Sequence, residues 1–371
     1  MKIVFNTDQI YLHGGIEKVM ATKANYWAKI PGVQVYIVTT EQEGKIPCYT
    51  LDKKISLVDL SINYNRSKSY FSIENLIKAV IHLRKQIIIL RKLKPDFLIS
   101  PNYNFDHYWL PFIKGKSKIL KERHGSRYKE VLERSDKSLR KRLSFKFNDW
   151  LDSRYDNIIV LNEDEKSYVK SGNAIVIPNP IEPQIFQSNG SNKKVIAAGR
   201  ISPVKGFDHL IKAWAIVHKA NPSWVLDIFG QNYLDTTEKL RVLIGELHLQ
   251  DAIFIKESVD DLPKIMSGYS IYALSSETEC FPMVLLEALS VGLPIVSYDC
   301  PNGPRHIVTN NEDGILVQQN RIDDLAAALD SLINNWELRT RMAENAKQNS
   351  QKFLPSVIMK HWQTLLNLPD V

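Results

Sequence analysis

Short apolar runs rich in β-branched residues recur along the chain, and longer stretches with helical periodicity lie between them. In the first half the strand-like runs are KIVFN (2–6), VYIVTT (35–40), DFLIS (96–100), KILKE (118–122) and NIIVL (157–161). In the second half they are VIAAG (195–199), VLDIF (225–229), AIFIK (252–256), SIYAL (270–274) and PIVSY (294–298). The clearest helical stretch runs from Ile73 to Leu93. There Ile73, Leu76, Ile77, Val80, Ile81, Ile87 and Ile88 follow helical spacing, and the basic residues sit largely off that stripe. A second helix is expected from Gly206 to Ala220.

Strands alternating with helices imply parallel sheets covered on both faces. Two such series, joined near Ile177-Pro178-Asn179-Pro180-Ile181, predict an α/β chain of two Rossmann-like domains. The boundaries are set at 1–178 and 179–351. The paired prolines make a stiff, extended hinge. Ligands of parallel α/β sheets bind beyond the carboxyl ends of the strands. With two facing sheets, the cleft between the domains is the expected active site.

Composition supports this picture. At 371 residues the chain has room for two domains, and 44% hydrophobic with 24% charged residues allow a packed core and exclude wholesale disorder. Cys48, Cys280 and Cys300 are far apart and form no CxxC pair, which argues against a zinc ribbon or a disulfide framework and for a reducing compartment. No HExxH, GxSxG or zinc-ligand spacing occurs among the nine histidines and three cysteines. The opening MKIVFN reads directly as a strand and is expected to carry no signal peptide. The most apolar stretch, Ile87 to Leu90, is flanked by Arg84, Lys85, Arg91 and Lys92 and falls far short of the ~20 residues a membrane span needs.

Charge changes the picture. Residues 1–178 hold 31 basic and 19 acidic side chains, net +12, and the remainder holds 17 and 22, net −5. From Lys114 to Lys146 there are 13 basic and 4 acidic residues. Such a field attracts phosphate-rich partners: nucleic acid, anionic lipid or phosphorylated substrates. The basic residues are not interleaved with a base-stacking aromatic array, so no nucleic-acid partner is expected, and a nucleic-acid-binding protein stays only as a rival reading.

Candidate chemistry clusters in loops. In SSETECFPMVLLEALSVGLPIVSYD (275–299) a strand ends at Leu274, and a helix begins near Pro282, placed at the first helical position, and runs to about Val291. The amides of Met283 and Val284 are then free donors. Glu279 precedes that helix start. Glu287 lies roughly 8 Å along its axis, so the two carboxylates are spread along a ligand rather than sharing a proton. In GRISPVKGFDHL (199–210), Arg200 and Lys205 follow a strand end and suit a pyrophosphate, although the order is not that of a P-loop. Gly14 and Gly15 open the first helix without a GxGxxG fingerprint, and glycine there lets amides approach a phosphate. His124 follows KILKE at a strand end; its position suits acid–base work, a substrate hydroxyl or simple packing. Gly230 and Gln231 sit at another strand end.

Taken in order, GGIEKV, RHG, IPNPI, GRISPVKGFDHLI and ETECFPMVLLEALSVGLPIVSYDCPNGPRHI resemble glycosyltransferase family 4, retaining enzymes of the GT-B fold. The resemblance covers nearly the whole chain and is most specific from Leu274 to Ile307, where Glu279 and Glu287 match the family's E-x7-E pattern. It implies that Gly15 presents its amide to the donor phosphates, that Arg200 and Lys205 hold the diphosphate, and that Glu287 binds the ribose hydroxyls. Glu279 would touch the donor sugar with the amides of Phe281, Met283 and Val284, while His124 lies beside the reacting sugar. The nucleobase would rest near Ser258 and Val259. The resemblance implies no metal and no further cofactor, since Arg and Lys take the metal's place. It also implies a closing helix, about 352–371, that returns to the first domain. Cys280 and Pro282 stand where the family often has Gly, and His306 where a Glu often follows GPR.

The expected activity is transfer of a hexose or N-acetylhexosamine from a nucleoside-diphosphate sugar to a hydroxyl. The expected donor is a UDP-sugar, with a GDP-sugar as the alternative. The acceptor would be a glycan or lipid-linked glycan of capsule, lipopolysaccharide or exopolysaccharide. The expected location is the cytoplasm, with peripheral attachment to an anionic membrane inner face. A nucleotide-sugar epimerase of the same fold is the enzymatic rival.

Overall fold

The computed structural model describes residues 1–102, 104–136 and 138–369. Lys137 of the basic run, and residues 370 and 371 of the expected closing helix, lie outside the described residues. The chain divides into two compact units, Met1–Pro180 with Ile358 onward, and Ile181–Val357.

The first unit is built on seven parallel strands: β1 (Lys2–Thr7), β2 (Gln34–Thr39), β3 (Ser56–Asp59), β4 (Phe97–Ser100), β5 (Lys118–Glu122), β6 (Asn157–Val160) and β7 (Ala174–Val176). Their order is β3-β2-β1-β4-β5-β6-β7. The helices are α1 (Gly15–Ala28), α2 (Ile73–Leu93), α3 (Leu110–Ile113), α4 (Tyr128–Glu133), α5 (Leu139–Asp152) and α6 (Glu163–Tyr168). Alternation along the strands feeds two cores, one on each face. Ile3, Phe5 and Ile99 pack on one side with Trp27 of α1 and with Trp362; Val4 and Leu98 pack on the other with Leu90 and Leu93 of α2. Trp27 is fully buried, stacked on Phe5 at 5.5 Å and edge-on to Trp362 at 5.7 Å.

The helix α2 has the predicted limits but the opposite orientation. A surface helix ordinarily turns its apolar stripe to the core. Here the buried positions are Asn75, Ala79, His82, Gln86, Leu90 and Leu93, while Ile73, Leu76, Ile77, Val80, Ile81 and Ile88 are exposed. The inward polar groups are paired, as burial demands, except for His82 Nε2. Gln86 Nε2 donates to Asn6 Oδ1 at 2.7 Å, Trp109 Nε1 donates to Gln86 Oε1 at 2.5 Å, and His82 Nδ1 lies 2.9 Å from the Tyr64 hydroxyl.

The second unit repeats the plan with six parallel strands: β8 (Lys194–Ala198), β9 (Val225–Phe229), β10 (Ile253–Lys256), β11 (Ile271–Leu274), β12 (Ile295–Tyr298) and β13 (Gly314–Val317). Their order is β10-β9-β8-β11-β12-β13. Its helices are α7 (Phe207–Ala220), α8 (Thr236–Glu246), α9 (Leu262–Met266), α10 (Met283–Ser290), α11 (Ile322–Asn334) and α12 (Trp336–Ser350). The last helix, α13 (Pro355–Leu366), carries the chain back into the first unit. In each sheet the first strand lies between the second and the fourth. Windings in opposite directions therefore diverge at β1/β4 and at β8/β11, the switch points where open α/β sheets bind ligands.

Candidate active site

The two loops that leave β8 and β11 meet at the switch point of the second sheet. After β8, Gly199 and Arg200 lead into a short turn, Pro203–Lys205, and then α7. Gly206 joins them with φ +58, a left-handed backbone that glycine adopts without strain. A Cβ there would strike the Ser275 carbonyl of the neighbouring loop. Ser275 Oγ donates to the Lys205 carbonyl at 3.1 Å, and the Glu277 amide donates to the Val204 carbonyl at 2.8 Å. The loops are thus laced together by backbone contacts that only a residue without a side chain permits.

Within that frame Lys205 Nζ lies 2.6 Å from Glu279 Oε1, and Ser276 Oγ donates to the same oxygen at 2.7 Å. The side chains of Lys205 and Glu279 are 20% and 12% exposed, so the pair is sheltered but reachable. The Glu279 backbone is clamped as well: its amide donates to the Pro301 carbonyl at 2.9 Å, and its carbonyl accepts from Asn302 at 2.6 Å and Gly303 at 3.0 Å. Arg200 is exposed, has no acidic partner among the described residues, and lies over the Tyr233 ring at 4.9 Å. A Cβ at Gly230 would collide with the Gly199 carbonyl, so the end of β9 presses directly on the backbone that presents Arg200.

Helix α10 starts at Met283. Pro282 is its N-cap rather than its first helical residue, and the helix ends at Ser290 with Val291 as C-cap. This corrects the expected start and end by one residue each. Phe281 is buried and packs edge-on to Phe353 at 5.8 Å, which leaves its backbone rather than its ring for a ligand; Met283 and Val284 are half-buried. Glu287 is buried, 6% exposed, and is no solvated helix residue. Burial pushes the Tyr272 phenol up, and the charges of Glu279 and Glu287 both push it further. The two carboxylates therefore converge on the electrostatic surroundings of one side chain. Ser258 and Val259 are exposed in the loop after β10, whose end accepts the Gly230 amide at 3.0 Å.

The remaining expected residues belong to the first unit. Gly14 is the N-cap of α1 with extended backbone, and a Cβ there would meet the flexible Glu17 carboxylate. Gly15 is the first residue of α1. His124 Nε2 lies 2.8 Å from Glu122 Oε2, and Glu122 also pairs with buried Lys23 of α1. Burial opposes the charge on Glu122, but Lys23 and His124 outweigh it and hold the carboxyl at about 2. Lys23, Glu122, His124, Asn179 and Trp362 line one small pocket. The sequence reading missed Lys23 and Glu122, Ser276, Asn302 and Tyr233. Ser276 alone carried a local signal, as a hydroxyl directly after a buried strand.

A family model described as "Glycosyl transferases group 1" matches residues 179–349. A Haemophilus influenzae protein described as an uncharacterized glycosyltransferase is 30% identical over 376 residues, covering 98% of this chain and 99% of the relative. The chain belongs to the glycosyltransferases. This glycosyltransferase is also similar to the amylovoran biosynthesis glycosyltransferase AmsD of Erwinia amylovora, at 31% identity over 57% of this chain and 62% of the relative. A crystal structure of a Staphylococcus aureus TarM mutant in complex with fondaparinux, alpha-GlcNAc-glycerol and UDP superposes with TM-score 0.77 at 16% identity, over 99% of each chain. That likeness is one of fold: two parallel-sheet Rossmann-like units, the GT-B architecture.

Proposed function

We propose that this glycosyltransferase is a retaining enzyme of family 4. It would move a hexose or N-acetylhexosamine from a UDP-sugar to a hydroxyl of a glycan or lipid-linked acceptor in cell-surface polysaccharide synthesis. The observation that carries this reading is the Lys205–Glu279 pair at the switch point of the second sheet, with Arg200 on the same loop as Lys205. A free cation and a second cation held by a carboxylate make a site for a diphosphate with a sugar attached.

The proposed mechanism follows from charge. The bond between the anomeric carbon and the diphosphate oxygen breaks, the acceptor oxygen takes that carbon on the same face, and the acceptor proton passes to the departing diphosphate oxygen. Negative charge builds on the departing diphosphate. Arg200, Lys205 and the amides of Phe281, Met283 and Val284 would stabilise it in place, where no metal is then required. Glu279 would receive the sugar hydroxyls, Glu287 the ribose hydroxyls, and the backbone near Gly230, Ser258 and Val259 the base. The second domain, expected as residues 179–351, would be the donor domain, and the first, with the closing helix, the acceptor domain. Gly14 and Gly15 would offer amides to the phosphates, and His124 a hydrogen bond to the reacting sugar; these roles rest on the resemblance. The relative named for amylovoran and the TarM structure with UDP and a glycerol-linked GlcNAc support the donor and acceptor classes. The basic excess of the first unit supports a cytoplasmic enzyme held peripherally at an anionic membrane surface.

The test is a thermal-shift panel of UDP, GDP, ADP, their sugars and a DNA oligomer, with EDTA throughout. A ligand that binds only the folded chain raises its melting temperature. A selective shift with UDP is expected, followed by acceptor-dependent UDP release and an axial or equatorial product linkage matching that of the donor, read by NMR. UDP release without acceptor, or sugar inversion at another carbon, would favour the epimerase.

A further inference from the structure

The first unit carries an apolar face that its own fold leaves open. Along α2, Ile73, Ile77, Val80, Ile81 and Ile88 are 79%, 58%, 54%, 44% and 67% exposed. At ~1.5 Å per residue they form a ridge about 22 Å long. The helix is inverted, since Asn75, His82 and Gln86 occupy the inner side. A separate exposed aromatic cluster runs from the turn before α3 to α5. Tyr108 stacks on Phe147 at 6.3 Å, Phe147 meets Trp150 at 5.8 Å, and Trp150 stacks on Phe112 at 5.9 Å. All four are exposed. Trp109, which follows Tyr108, meets the inner side of α2: it lies edge-on to His82 at 5.2 Å and donates to Gln86.

Charge selects the occupant. Helix α2 holds five basic residues and one acidic, and Arg84, Lys85, Arg91 and Lys92 are exposed along it. Arg142 and Lys146 are exposed on α5. Aliphatic side chains flanked by cations suit the boundary between anionic headgroups and acyl chains. A second copy of this chain, docked two-fold, would set the same cations against one another. A nucleic acid would engage the cations but has no apolar region for a row of isoleucines. No helix among the described residues is long and apolar enough to cross a membrane.

We propose that the α2 ridge docks flat on an anionic lipid bilayer, with its isoleucines seated among the acyl chains. The inference takes its purpose from the lipid-linked acceptor proposed above, but its evidence, the exposure and charge of α2, is separate from the donor site. Docking would set the carboxyl ends of the first sheet at a constant height above the bilayer, where a lipid-anchored sugar is presented.

The experiment is flotation of the full chain with vesicles of phosphatidylcholine alone and of phosphatidylcholine mixed with phosphatidylglycerol. Wild type is expected to float with the anionic vesicles only. Ile77→Glu/Ile88→Glu is expected to lose binding by about tenfold or more. Arg84→Glu/Arg91→Glu is expected to lose it most clearly at low salt. All four side chains are exposed, so each variant should melt with wild type; a variant that does not is replaced by Ile77→Gln/Ile88→Gln. Failure of wild type to float, or apolar variants that float like wild type, would overturn the proposal. A wild-type dimer in light scattering that Ile77→Glu splits would assign the face to a second copy instead. A UDP-induced thermal shift measured on the same samples keeps the readings apart: a shift without flotation removes the membrane face and leaves the transferase.

Discussion

Lys205 Nζ and Glu279 Oε1, 2.6 Å apart, join the loops that leave the second sheet on either side of its switch point. The ion pair does two jobs before any ligand arrives. It satisfies a sheltered carboxylate and it holds a cation in position. On the proposed reading, a diphosphate entering the site would compete for that cation and free Glu279 to accept hydrogen bonds from a sugar. The lysine would then be shared between a resident carboxylate and an incoming anion.

Lys205→Ala should therefore damage the reaction more than it damages the fold. Removing a positioned charge aimed at developing negative charge lowers turnover by about 100-fold. Steady-state UDP release should show kcat/KM down by about that factor while urea unfolding moves little. Wild-type turnover in this variant would remove Lys205 from the diphosphate site.

Gly230→Ala tests the backbone frame. The added methyl runs into the Gly199 carbonyl, which cannot yield without shifting the end of β8. Overpacking of this kind costs about 1–3 kcal/mol. Urea denaturation should report that loss, and UDP should stabilise the variant less than wild type because Arg200 moves with Gly199.

Tyr233 underlies Arg200, with the guanidinium 4.9 Å from its ring centroid. A cation–π contact at an exposed site is worth about 0.5–1 kcal/mol. Tyr233→Ala should raise the donor KM a few-fold with kcat nearly unchanged, and Tyr233→Phe, which keeps the ring, should restore it. Equal KM values in the two variants would exclude this positioning role.

Acid should loosen the first unit through His82. Burial pushes its imidazole from the ordinary 6.5 down to about 4, and no hydrogen-bond partner meets its Nε2 among the described residues. Between those values the unfolded chain takes up a proton that the folded chain refuses, so stability falls as pH drops through the window and rises on return. The full effect is about 3 kcal/mol. Unfolding free energies measured from pH 7 to 4 should show this slope in wild type and a shallower one in His82→Asn.

Legibility varied with the range of the forces involved. The ten expected strands are all present; nine are interior, largely buried parallel strands, and the tenth, β10, is a half-exposed edge strand that its apolar run Ala252–Ile255 made visible. The three that escaped, β3, β7 and β13, are edge strands of three or four residues whose burial is only partial. The loop motifs were legible because a glycine beside a cation at a strand end has a local reason to be there. The partners were not: Lys23 and Glu122 are 99 residues apart, and nothing near either one announces the other.

Helix α2 marks the boundary most clearly. Its period and limits, Ile73–Leu93, are properties of neighbouring residues and were written in the sequence. Which side faces inward was not. The apolar stripe alone would turn toward the core, but Asn6, Tyr64 and Trp109 present buried polar groups there that only Gln86 and His82 answer. Leaving those groups unpaired costs about 1–3 kcal/mol each, which competes with the gain from burying an isoleucine. Local periodicity determined that there is a helix; partners brought in from distant parts of the chain decided that its apolar side faces outward.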